Sequence, residues 1–201
     1  MSIEASVPKP RVRRSPEAAR ENILAAAEAL LVEHGPQAIK LADVAKAAGV
    51  VHANVIHHFG SIAGVETALM ERMIRQLADK IIVGFNEEGV APGFGAQALF
   101  DAFEAKGAAR LAAWLELTGE GRRMTLVRQV VDEVVQTRMA RDVGVDRETI
   151  VDFILVNIVL AIGVGLFGPT LSELLGRPSG RARELALEMV LGRISAMGGE
   201  A

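Results

Sequence analysis

All four histidines of this 201-residue chain, His34, His52, His57 and His58, fall before residue 60. His52 and His57 are five apart, and His57 and His58 are adjacent. Neither spacing puts two imidazoles on one helical face to hold a metal. There is no cysteine, which removes thiolate zinc sites, iron–sulfur ligation, disulfides and cysteine nucleophiles together. No G-x-S-x-G, H-E-x-x-H or P-loop pattern occurs, and no histidine beyond residue 58 could act as a base. Gly163 to Gly168 fits G-x-G-x-x-G, but it lies inside a helix-length run rather than between a strand and a helix, where a dinucleotide site needs it. Its glycines are expected to let helices approach closely. This inventory predicts no enzyme, no metal and no cofactor.

The stretch that could do chemistry is Leu41 to Phe59, LADVAKAAGVVHANVIHHF. Two short helical patterns flank Ala48-Gly49-Val50. Small Ala45 and Ala48 allow a close crossing, and Gly49 can take the positive φ of a tight turn. That is helix-turn-helix spacing, which presents the second helix to a DNA major groove. With Val55 and Phe59 facing inward, His52, Ala53, Asn54, Ile56 and His57 face outward. The Asn54 amide suits adenine N6/N7, and Ala53 can approach a thymine methyl. Lys40 and Lys46 can reach phosphate.

The elements that position this stretch all read with helical period. Ser15-Pro16-Glu17 is a strong helix start, and Ile23, Ala27, Leu30 and Leu31 form a stripe that ends at Gly35-Pro36. A long helix is predicted over 62–85, then a Gly/Pro loop over 86–95. Further helices are predicted at about 96–106, 108–118, 121–142, 147–168 and 181–197. No sustained period-2 alternation occurs, so the fold class is all-α.

Composition agrees: the residues AVILMFWYC make up 50% and aromatics only 4%, which excludes intrinsic disorder and gives little support to a base-stacking platform. Residues 1–60 hold seven Lys/Arg against six Asp/Glu, whereas the remainder is net acidic. Residues 1–14 read as a basic, disordered arm whose Arg11, Arg13 and Arg14 could contact phosphate or the minor groove. No apolar signal segment opens the chain, which makes a cytoplasmic protein the expectation.

From Phe153 to Ser172 there are twenty uncharged residues, long enough for a bilayer. Asn157, Pro169 and the flanking Asp152 and Glu173 favour a helix buried on all sides, in a core or a dimer interface, and no membrane span.

The residues of the first helix, the segment Asp43 to Val50 and His57-His58-Phe59-Gly60-Ser61 resemble the TetR family of bacterial transcriptional regulators. The resemblance implies a helix-turn-helix domain over 15–60 and a helical effector-binding and dimerisation domain over 61–201. It further implies a homodimer on operator DNA, a repressor released by a small effector. The chain departs from the family pattern where Lys40 and Val51 replace capping hydroxyls, Ile56 replaces a tyrosine and Ile62 a lysine. The alternative is a related ligand- or partner-binding module with weakened or lost DNA binding.

A small apolar effector is expected among Phe100, Phe103, Trp114, Met124, Val127, Val131 and Phe153, with Arg128 and Asn157 as polar handles. The homodimer is expected through the last two helices. Phe153, Ile154, Asn157, Ile158, Ala161 and Ile162 are expected at its interface, with Ala186, Met189, Val190, Ile194 and Met197.

Overall fold

The computed structural model describes residues 15–87, 89–120, 126–141 and 144–198. Among these, nine α-helices and one 3-10 turn at Pro36–Ala38 account for the regular structure, without strands. Helix α1 (Pro16–His34) starts where Ser15 Oγ accepts the Ala18 N–H, with Pro16 in the first turn and Glu17 near the positive helix end. It buries Ile23, Leu24, Ala27 and Leu31 against α2 (Leu41–Ala48), α3 (His52–Phe59) and the first half of α4 (Ile62–Asn86). Burying four such aliphatic positions contributes roughly 1.5–3 kcal/mol for each large side chain.

Of the remaining helices, α5 (Phe94–Glu104), α6 (Ala108–Leu117) and α7 (Leu126–Met139) pack on α4, and α8 (Arg147–Leu174) packs on these three and on α9 (Arg181–Gly198). One contiguous apolar cluster runs from Ile23 on α1 through Leu69 and Phe100 to Ala186 on α9. Residues 1–14, with Arg11, Arg13 and Arg14, lie outside the described residues, as do residues 121–125, which include Met124.

One reading of the uncharged segment changes. Helix α8 does not stop near Pro169 but continues to Leu174 with the proline inside it. Proline removes one helical N–H bond, and the turns beyond it are held by α9. Gly168 packs on Ala182, Ser172 Oγ accepts the Ala182 N–H, and Ser172 O accepts the Arg177 N–H. Within the single chain α8 is buried on one face only, which leaves the other to an interface. Ile150, Asn157, Ala161, Gly168 and Ser172 are buried on one face, while Leu155, Val156, Val159, Phe167, Leu171 and Leu174 are exposed on the other.

The dimer stripe is therefore reassigned as well. Ile154, Asn157, Ile158 and Ile162 turn inward to a cavity and Ala161 into the core, as do Val190 and Ala186 of α9. Among the described side chains of α9, the large apolar ones left open are Leu185 and Met189; the side chain of Met197 lies outside the described residues. Gly165 does permit close approach: a Cβ there would stand 2.8 Å from Ala109 Cβ and 2.9 Å from Phe103 O.

Candidate nucleic-acid interface and ligand cavity

Gly49 ends α2 at φ 65°, a left-handed conformation that glycine adopts without side-chain strain. The Val50 N–H then donates to Ala45 O at 2.9 Å, and the chain turns into α3. Side chains of α1 fix the pair from behind. Asn22 Nδ2 donates to Ala48 O at 2.7 Å, Arg20 Nη1 donates to His58 O at 2.9 Å, and the Arg20 guanidinium lies 4.3 Å over the Phe59 ring. Each of these bonds satisfies a carbonyl at a helix end that has no intrahelical donor.

Val55 is fully buried beneath α3, and Phe59 is half-buried beside it. His52, Ala53, Asn54, Ile56 and His57 are exposed together on the outer face, with Lys40 and Lys46 exposed at the two ends of α2. This surface offers one amide, two imidazoles and two ammonium groups, and α3 itself carries no Lys or Arg. Lys40 and Val51 occupy the cap positions of α2 and α3, and neither side chain caps its helix. Val51 is exposed, whereas Ile62, at the start of α4, packs against the core.

Helix α4 connects this surface to the other half of the molecule. Ser61 Oγ accepts the Gly64 N–H at 3.0 Å and starts the helix two residues after α3 ends. Arg72 on α4 is nearly buried and donates to three oxygens of α1: Glu21 Oε2 at 3.2 Å, Glu28 Oε2 at 2.5 Å and Leu24 O at 3.1 Å. Charge-assisted bonds of this kind are the stronger class. Arg110 Nη2 on α6 adds a second tie, donating to Val32 O at 3.1 Å.

One turn away from Arg72, Met70, Ile74, Leu77 and Ile81 line a cavity of about 620 Å³ enclosed by α4, α5, α7 and α8. Its walls are overwhelmingly aliphatic and aromatic. Phe103, Val127, Val131, Phe153 and Asn157 line it. Phe100 lies in the solid core, 1% exposed. Arg128 lies in a shallow surface groove with Gln129, Asp132 and Gln136. Trp114 lies elsewhere: its Nε1–H donates to Glu66 Oε1 at 3.0 Å.

That bond satisfies a buried carboxylate in the second turn of α4, just past α3. Burial pushes the Glu66 carboxyl above its ordinary value; the Trp114 N–H opposes this, and the charge of Glu120 adds to it. Two polar groups of the cavity were missed in the sequence. Arg138 and Arg141, at the end of α7, both line it, and the Arg138 guanidinium lies 5.7 Å from the centre of the Phe85 ring. Arg138 in the last turn of α7, on a helix bearing the apolar stripe Val127, Val131 and Val134, was the available signal; Arg141 follows just beyond the helix end. Asn157 Nδ2 donates to Phe153 O at 2.6 Å, while its buried Oδ1 has no partner among the described residues.

Residues 23–68 match the model of bacterial regulatory proteins of the tetR family. Two curated relatives, both uncharacterized HTH-type transcriptional regulators of Mycobacterium tuberculosis strains, are 37% identical over 70 residues. The match spans about a third of those relatives' length, 35% of each, and 35% of this chain. Among solved structures, the multidrug binding protein EbrR complexed with imidazole aligns with TM-score 0.60 at 19% identity. It covers 87% of this chain and 93% of that one. A TetR transcriptional regulator from Legionella pneumophila aligns with TM-score 0.60 at 22% identity, covering 88% and 95%. These structural likenesses extend the shared fold over nearly the whole chain.

Proposed function

From a chain whose N-terminal helices are those of the TetR family of bacterial transcriptional regulators, we propose a ligand-responsive repressor that works as a homodimer in the cytoplasm. Residues 15–60 form its DNA-binding unit and 61–201 its effector and dimerisation unit. The observation that carries this reading is the course of α4, which begins beside the recognition helix, is clamped to α1 through Arg72 and ends as a wall of the cavity. A molecule filling the cavity must press on Met70 and Ile74, and any tilt of α4 moves the end of α3. An effector with different affinity for the two positions of α4 shifts DNA binding by that difference.

On DNA, Asn54 and Ala53 meet base edges, Lys40 and Lys46 meet phosphates, and His52 and His57 lie between them. The arm with Arg11, Arg13 and Arg14 adds further phosphate contacts. For the dimer, the open face of α8 from Leu155 to Leu174, continued by Leu185 and Met189 of α9, is a larger apolar patch than monomers usually expose. Two copies related by a twofold axis cover it with four helices. Helix α8 is long and apolar enough to cross a membrane. Its opposite face, however, carries buried Asn157 and is packed on α5, α6 and α9, which favours a protein partner.

A second reading has its own observation. Exposed Val51 and Ile56 put apolar surface on the face that should meet DNA, as a module that binds another protein would. Fluorescence anisotropy on labelled genomic fragments from upstream of the gene separates the two. Salt-sensitive binding that Asn54→Ala weakens at one base pair supports the regulator, and absence of binding to every fragment supports the module.

A further inference from the structure

The effector cavity is apolar almost throughout, yet it holds two guanidinium groups. Arg138 is partly withdrawn from solvent and Arg141 is exposed at its edge, three residues on. Among the described residues, no carboxylate lies within ion-pair distance of either; the Phe85 ring face is what Arg138 rests on. Arg20 and Arg110 reach between helices to donate to backbone carbonyls, and three further arginines that reach between helices are neutralised by carboxylates. Arg72 pairs with Glu21 and Glu28, Arg75 with Glu133, and Arg183 with Asp101 and Glu104. A cation drawn out of water without a counter-charge is costly, and an aromatic face offsets only part of that cost. Burial and then the neighbouring charge of Arg141 pull Arg138 below its ordinary value, the direction expected of an unneutralised site.

We infer that the molecule this cavity takes is an amphipathic anion, with an acyl-like or ring body among Ile74, Leu77 and Phe153 and one carboxylate or phosphate group against Arg138 and Arg141. The inference rests on the reading of the cavity as the effector site. A guanidinium fork matches either anion, and two like charges repel a cationic ligand of the same shape. The buried Asn157 Oδ1, unpartnered on the α8 wall, accepts a hydroxyl or amide N–H carried on the body.

Titration calorimetry on the 201-residue chain with decanoate, decyl phosphate, decanol and decyltrimethylammonium tests this. The body is constant and only the head changes. At least one of the two anions is expected to bind about tenfold or more tighter than the alcohol, the size of one charge-assisted contact. The cation is expected not to bind measurably. Arg138→Gln is expected to bring the preferred anion to within about threefold of decanol, with unchanged helical circular dichroism showing that the variant is folded. Arg138→Lys retains part of the preference, and Arg141→Gln, at an exposed position, lowers it. Decanol binding as tightly as both anions overturns the inference and leaves the effector cavity standing. Failure of all four probes overturns both. Anion preference unmoved in both glutamine variants also overturns it, because the anion then sits elsewhere.

Discussion

At the scale of the residue, α2 and α3 are packed well but lack side-chain caps at their starts. Val51 stands at the N-cap of α3 with its backbone already extended, φ −83° and ψ 154°, but without an oxygen to offer. Val51→Ser supplies the missing acceptor for an N–H of the first turn and removes an exposed apolar side chain. It is expected to stabilise the fold by about 1 kcal/mol in urea denaturation. Glu66 makes the second prediction. Its folded value is raised by burial, so the folded chain retains a proton that the unfolded chain loses in the ordinary carboxylate range. The stability from protonated Glu66 is therefore fully present below that range and is lost as pH rises through the raised value. Glu66→Gln keeps an acceptor for the Trp114 N–H without the charge. It is expected to match the parent below about pH 4 and to melt higher at neutral pH. Melting curves that differ equally at both pH values would contradict this.

At the scale of the element, α4 is held to α1 by Arg72 more than by any other polar contact described. Arg72→Ala removes donors to two carboxylates and one carbonyl, leaving Glu28 partly buried and alone. The expected loss is about 2–3 kcal/mol by chemical denaturation. If α4 transmits the state of the cavity, the same variant also shrinks the change in DNA affinity that a bound ligand produces, while ligand affinity itself is retained. Loss of ligand binding in parallel with DNA response would place Arg72 outside the coupling. The helix pair that α4 serves was legible from sequence because its signals are local. Gly49 between two short apolar patterns, and Val55 four residues before Phe59, specify a turn and an inward face without reference to the rest of the chain. The end of α8 was not legible, since Pro169 is a local stop that contacts with Ala182 override.

At the scale of the whole molecule, the open apolar face of α8 and α9 sets the expected assembly. Light scattering at micromolar concentration should give twice the chain mass of 21.4 kDa. Phe167→Glu, which puts a charge into that face without touching the cavity lining, should give single chains that retain their helical circular dichroism; a native monomer would overturn the dimer. What the sequence determined by itself is whatever depends on neighbours within a turn or two: the all-α class, the first four helices, the helix-turn-helix surface with Asn54 outward and Val55 inward. In α7 and α8, which side of the helix faces what was decided by the tertiary structure alone. In α8 nearly every position is apolar, so periodicity carries no phase, and Ile154, Asn157, Ile158 and Ile162 fit a dimer seam as well as a cavity wall. Arg128 and Arg138 likewise sit on one helix, ten residues apart. A rotation of 100° per residue carries the first into a surface groove and the second to the cavity only once α4 and α8 have fixed which face of α7 is covered.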